Sequence, residues 1–231
     1  IHYFTFASQG GMNDFGDLQT AQTRNVGLSD STRGISAGGG DPVQTTGIEF
    51  VTISTTGDAN NFGNLTQARA GSGACASSTR GLFSGGYDPS GNFNIIDFIT
   101  IATLGEAQDF GDLTDDPNHH VGCSNSIRGL FGGGQNPSNI NTIVYVTIAT
   151  EGNAIDFGDL SQGGNNGKID YLGACASEIR GVFGGGQTPT KINTIQFVTI
   201  ATTGDTTDFG DLTVSRRFLQ GLSDAHGGLA T

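Results

Sequence analysis

Few residues in this chain have the types and spacing that chemistry requires. The densest acids lie in "GDTTDFGD" at 204–211, and clustered carboxylates suit Ca²⁺, which takes six to eight oxygen ligands. The related segments read "GDANNFGN", "GEAQDFGD" and "GNAIDFGD", so the carboxylate number varies where a calcium loop would hold it fixed. Asx turns and pairing with nearby arginines account for these acids more simply. His119 and His120 are an adjacent pair in a variable stretch, two ligands where structural zinc takes four. Asp30, Glu178 and Asp224 fall near the ends of short apolar segments. Glycosidases use such carboxylates in pairs, yet no nucleophile–His–Asp order or metal triad accompanies them. "FGGGQNP" and "FGGGQTP" lack the Lys and Ser/Thr of a phosphate loop, and strand-like residues follow; their glycines suit a turn with positive φ. The expectation is a protein that is not an enzyme, with no catalytic residue, no metal and no cofactor.

Behind these residues lies a period. "DFGDL" occurs at 14–18, 109–113, 156–160 and 208–212, with "NFGNL" at 61–65. The motif phenylalanines, Phe15, Phe62, Phe110, Phe157 and Phe209, are spaced by 47, 48, 47 and 52 residues. Arg33, Arg80, Arg128 and Arg180 keep the same rhythm in "STRGISAGG", "STRGLFSGG", "SIRGLFGGG" and "EIRGVFGGG". The C-terminal "DAHGGLAT" is a fifth copy with Gly227 at the arginine position. Cys75, Cys123 and Cys175 each precede that arginine by five residues, and Leu28 and Leu222 occupy the place in the other copies. A site that accepts Leu wants an apolar group, and Cys behaves so when buried. These cysteines are expected to be buried, reduced and on different elements, out of disulfide reach.

Each unit alternates in hydrophobicity and favours β-branched and aromatic residues, so it reads as strands. One copy offers strands at 71–77, 80–86, 95–103 and 107–113, separated by "TTGD", "GGG" and "DP" turns. Four antiparallel strands repeating about every 50 residues match a β-propeller blade. Residues 1–231 are therefore expected to form a single all-β, five-bladed propeller. Its last blade is shared: residues 1–8 should pair with 227–231. The repeat arginines are expected to pair with Asp58, Asp109, Asp156 and Asp208.

The balance of 10 basic against 22 acidic residues, a net charge of −12, offers no basic stripe for phosphates and argues against nucleic acid. No apolar run approaches the roughly 20 residues that span a bilayer, which argues against membrane insertion. Without an initiator Met or a signal peptide, Ile1 reads as the start of a fragment or a processed chain.

The order of motifs resembles the kelch repeat, with Phe where kelch proteins usually carry Trp. The wording "VTIATTGDTTDFGDLTVSRR" and "RGVFGGGQTPTKINTI" is similar to kelch-like repeats of tail-fibre and virion proteins of marine bacteriophages, cyanophages among them. That resemblance implies a virion-associated, extracellular propeller that recognises a host-surface glycan or envelope protein. Its implied partners are other virion proteins and the host surface, with homo-oligomers possible in such appendages. The alternatives are a purely structural virion or filament component and a glycoside-cleaving depolymerase.

Loops on a rigid scaffold carry recognition. In a four-stranded meander the second-to-third and fourth-to-first connections share one face, and here those are the variable ones. The candidate ligand-binding residues on that face are Tyr87, Phe93, His119, His120, Tyr171, Arg216, Arg217 and Phe218.

Overall fold

The computed structural model describes residues 1–5, 10–40, 42–225 and 228. Four repeat units each form one four-stranded antiparallel sheet in chain order. Unit 1 has strands Val26–Ser29, Arg33–Ala37, Gly47–Thr52 and Asn60–Asn64. Unit 2 has Gly73–Ala76, Arg80–Ser84, Ile95–Thr100 and Gln108–Asp112. Unit 3 has Val121–Ser124, Arg128–Gly132, Thr142–Thr147 and Ile155–Asp159. Unit 4 has Gly173–Ala176, Arg180–Gly184, Thr194–Thr199 and Thr207–Asp211. Ahead of them His2–Tyr3 pairs with Asn13–Asp14, as third and fourth strands of a unit would. The expected pairing of 1–8 with 227–231 lies largely outside the described residues. The strands are shorter than the sequence suggests because the turns begin early: Gly85 and Gly86 have φ of 54° and 98°.

Sheets stack through their faces, so in units 2 and 3 both faces of the second strand are covered, and Leu82–Phe83 and Leu130–Phe131 read as hydrophobic runs rather than alternations. Phe83 packs into a cluster shared with unit 1, whereas its neighbour Leu82 packs into the cluster shared with unit 3. Phe131 and Phe183 repeat the role of Phe83 at the next two seams. Unit 1 carries Ser36 at this position, and beside it lies a cavity of about 780 Å³, lined by Ile1 to Phe4 and by residues of the first strands of all four units.

The Phe-Gly pair has a structural cause. In every unit the register between third and fourth strands shifts at the motif Phe: Ile96 pairs with Gly111 but Asp97 pairs with Asp109, leaving Phe110 as the extra residue of a β-bulge. The same shift leaves out Phe62, Phe157 and Phe209. Bulged out of the ladder, Phe62, Phe110 and Phe157 are each 2% exposed. The Gly that follows has positive φ, 142° at Gly111, and lies against the next unit, where an added Cβ would sit 2.6 Å from the Gly152 carbonyl. That approach serves two backbone hydrogen bonds per junction. Gly57, Gly105, Gly152 and Gly204 donate to Phe15, Phe62, Phe110 and Phe157 at 2.7–3.0 Å. Ala59, Ala107, Ala154 and Thr206 donate to Asp17, Asn64, Asp112 and Asp159 at 2.8–2.9 Å.

The acidic turns brace the same junctions: Asp58 accepts from the Asp17 N–H, and Asp205 from the Asp159 N–H, each at 2.9 Å. The repeat arginines do not pair with Asp58, Asp109, Asp156 or Asp208. Each guanidinium lies instead over an aromatic ring of its own third strand, 4.5–4.9 Å from the centroids of Phe50, Phe98, Tyr145 and Phe197. Arg33, Arg80 and Arg128 also donate to carbonyls of the next unit, at Ile101, Ile148 and Ile200. Registry explains the difference. Arg33 is two residues before Ile35, which faces Phe50, so ring and guanidinium are diagonal neighbours on one sheet face. The ring holds the cation, and among the described residues Arg80 is the only repeat arginine that also reaches an acid, Glu151 at 3.5 Å.

In units 2 to 4 the glycine after the arginine makes room for the preceding unit. A Cβ on Gly81 would meet Leu28 at 2.8 Å, one on Gly129 the Cys75 Sγ at 2.5 Å, and one on Gly181 the Cys123 Sγ at 3.1 Å. Cys75 and Cys123 are buried as expected, Cys175 only half-buried, and all three are free thiols. Burial raises all three thiol pKa values, so none is poised as a thiolate.

Two outcomes test this account. Gly111→Ala, which meets both a positive φ and a backbone clash, should lose about 2 kcal/mol or more in urea unfolding. Gly91→Ala, with φ of 146° but open space around it, should lose clearly less. A thiol reagent applied to the native protein should label Cys175 first and count three thiols after unfolding.

Candidate functional site

Five positions, each four residues before the Cys or Leu of the first strand, share one unusual backbone conformation. Arg24, Gly71, His119, Tyr171 and Phe218 have φ of 57°, 67°, 55°, 54° and 58°. Glycine reaches this left-handed region freely, whereas for L side chains it costs roughly 1–2 kcal/mol per residue. A relay of backbone hydrogen bonds holds them there. Gly71 donates to Arg24, His119 to Gly71, Tyr171 to His119 and Phe218 to Tyr171, at 2.8–3.2 Å. Each unit thus fixes the next at this end of the first strands.

The side chains form a continuous aromatic ladder. Ring centroids are 4.3 Å apart for His119 and Tyr171 and 4.4 Å for Tyr171 and Phe218, with tilted planes. Tyr87 fills the space that Gly71 leaves, 5.4 Å from His119. Its hydroxyl accepts from the Arg24 Nη1 at 2.6 Å. At the far end the Arg217 guanidinium lies 5.6 Å from Tyr171 and 5.0 Å from Phe218, and its Nη1 donates to Gln187. A cavity of about 170 Å³ lies at the ladder, walled by Arg24, His119, Tyr171 and Phe218 and by small residues of the first strands.

Five of the eight expected ligand residues therefore come together: Tyr87, His119, Tyr171, Arg217 and Phe218. Tyr87 belongs to a second-to-third connection and the others to fourth-to-first connections, so the two loop families share a face. His120 lies beneath the ladder, 3% exposed, with Nε2 2.8 Å from the Ser84 hydroxyl. Phe93 is half-buried in its own connection, where its N–H donates to Gly86. Arg216 is exposed and ties its backbone to Ile192 and Gly186, outside the ladder. Arg24 was missed by type: it breaks the aromatic series, although its register matches that of His119.

Two of the three carboxylates considered for catalysis are occupied by backbone and hydroxyl donors. Asp30 Oδ1 accepts from the Thr32 N–H and O–H and from the Arg33 N–H. Glu178 accepts from the Ser126 N–H and O–H across a seam. Among the described residues no three His, Cys, Asp or Glu side chains converge as metal ligands.

Both histidines are held neutral. Burial, then the charge of Arg24, lowers His119 to about 4. Burial above all, with His119 and Arg69 adding, lowers His120 to about 3. The His119 ring nitrogens are buried and have no hydrogen-bond partner. Because the folded values lie below the ordinary 6.5, the unfolded chain takes up protons that the folded one refuses. Their contribution to stability is whole above pH 6.5 and is lost as the pH falls towards 3–4. Each such group changes the slope by up to about 1.4 kcal/mol per pH unit. His120→Leu reproduces Leu172 and Leu219 at the same repeat position and should fold. In urea unfolding it should lose less stability than the parent between pH 6.5 and 4; an unchanged slope would show that His120 is not held neutral.

Comparison with known protein families finds no model that matches this chain, and comparison with curated proteins finds no match either.

Proposed function

We propose that this chain is the closed five-bladed, kelch-like propeller of a phage virion appendage and that it recognises a host-surface glycan without covalent chemistry. The observation that carries the recognition reading is the aromatic ladder. Sugar rings present C–H faces that stack on aromatic rings, while a few directed polar groups fix their orientation. Tyr87, His119, Tyr171 and Phe218 supply the rings, and the exposed guanidiniums of Arg24 and Arg217 supply directed polar groups. Four bulky side chains held in a strained conformation are consistent with selection for where those side chains point.

Closure is supported by two loose ends. Phe209 is 55% exposed while its counterparts in units 1–3 are 2% exposed, so it wants a partner sheet. Gly10 stands five residues before Phe15, as Gly57, Gly105, Gly152 and Gly204 stand before theirs, and could donate to the Phe209 carbonyl. A second reading, a packing component of the particle, draws on exposed Leu104, Ile127, Ile155 and Ile179 at the opposite end of the sheets. The two are compatible if that end docks on a shaft and leaves the ladder outward.

Tyr171→Gly relieves a left-handed tyrosine and removes the central rung. It should abolish adsorption to host cells while leaving the melting temperature unchanged or higher. Asp58→Ala should show the opposite pattern, lower stability with adsorption kept. Adsorption that survives Tyr171→Gly would overturn the ladder as the recognition site. Reducing sugar released from the bound glycan would instead favour the depolymerase.

A further inference from the structure

Arg24 and Arg217 depart from the rest of the chain in one respect. The repeat arginines are used up in the same way in each unit, by an aromatic ring and in three of them by a neighbouring carbonyl. Arg24 and Arg217 occur once each, at positions that hold Gly, His, Tyr or Phe and Thr, Ala, Asn or Asp in the other units. Both flank the ladder, and neither is in an ion pair: the pairs among the described residues are Arg69 with Asp97 and Arg80 with Glu151. Asp170, whose carboxyl feels the charge of Arg217, is 3% exposed and accepts from Asn139 instead. Arg24 lines the ladder cavity together with His119, Tyr171 and Phe218, and the Arg217 guanidinium lies over the rings of Tyr171 and Phe218 outside that lining. In a chain of net charge −12 this is a local reversal of sign.

We infer that the ligand of the ladder is an anionic sugar, packed against Tyr171 and Phe218 in this cavity, whose carboxylate or sulfate is held by Arg24 while Arg217 adds its charge from the rim. The inference rests on the recognition reading above. Both guanidiniums spend one Nη1 on a neutral oxygen of Tyr87 or Gln187, which fixes their planes and leaves N–H groups for charge-assisted bonds to an oxyanion. The cavity of about 170 Å³ is smaller than the ~300 Å³ at which drug-sized pockets begin, so it takes one sugar ring and its anionic group rather than a chain. The overall negative charge repels polyanions elsewhere on the surface and confines binding to this point.

A carbohydrate array carrying each backbone in carboxylated, methyl-esterified, sulfated and desulfated form tests this with the intact chain. Binding should concentrate on the charged members and vanish on esterification or desulfation, and the two arms tell carboxylate from sulfate. Arg24→Gln and Arg217→Gln should each weaken binding to the selected sugar about tenfold and flatten its dependence on salt, with the melting temperature unchanged. Equal binding of neutral and charged members would overturn the anionic assignment and leave glycan recognition standing. Binding to no member would overturn the recognition reading itself.

Discussion

Two backbone hydrogen bonds across each junction are the constraint on which the remaining architecture depends. They join the fourth strand of one unit to the turn before the fourth strand of the next, and they can form only if the two backbones come within van der Waals contact. That contact requires a glycine at the crossing, and the Phe beside it must leave the ladder to let the strand bend. Once bulged, the Phe has nowhere to go but into the seam, where it helps bury the faces of two sheets at once. The motif thus couples a hydrogen-bonding requirement to a packing one. Asp58 and Asp205, and Asn153 at the same position, then satisfy the next N–H along the strand, which is why a short polar acceptor recurs there.

The ladder depends on the same rigidity. A left-handed His, Tyr or Phe would relax if its neighbours allowed it, but each is fixed at its N–H by the unit before and, for His119 and Tyr171, at its carbonyl by the unit after. The local cost, of order 1–2 kcal/mol at each non-glycine residue, is met by contacts that the stacked sheets make in any case. Gly71 is the exception that completes the row: having no side chain, it admits the ring of Tyr87 from a different loop.

The period of "DFGDL" was enough to place four sheets and sixteen strands, because alternation and turn residues act within a single unit. What acts between units was harder to see. The bulge at Phe110 exists only relative to the register of Ile96 and Asp97, and no feature of one strand announces it. The arginines looked like partners for acids because charge was considered without sheet geometry; the recurring third-strand ring at Phe50, Phe98, Tyr145 and Phe197 was the available signal. Of the ladder, Tyr171, His119 and Phe218 were legible as unusual residues in variable loops. Arg24 was not, since its part follows from its backbone conformation and its register rather than its type.

The relay of left-handed residues gives each unit one rung position and no more. A duplication or loss of a unit within such an array would alter the number of rungs while leaving every junction chemically the same. Unequal recombination between copies, and exchange of the rung residue alone, would then generate new surfaces without asking the framework to be solved again. Diversity and foldability are carried by different atoms of the same repeat: the side chain at one left-handed position, and the main chain at one glycine.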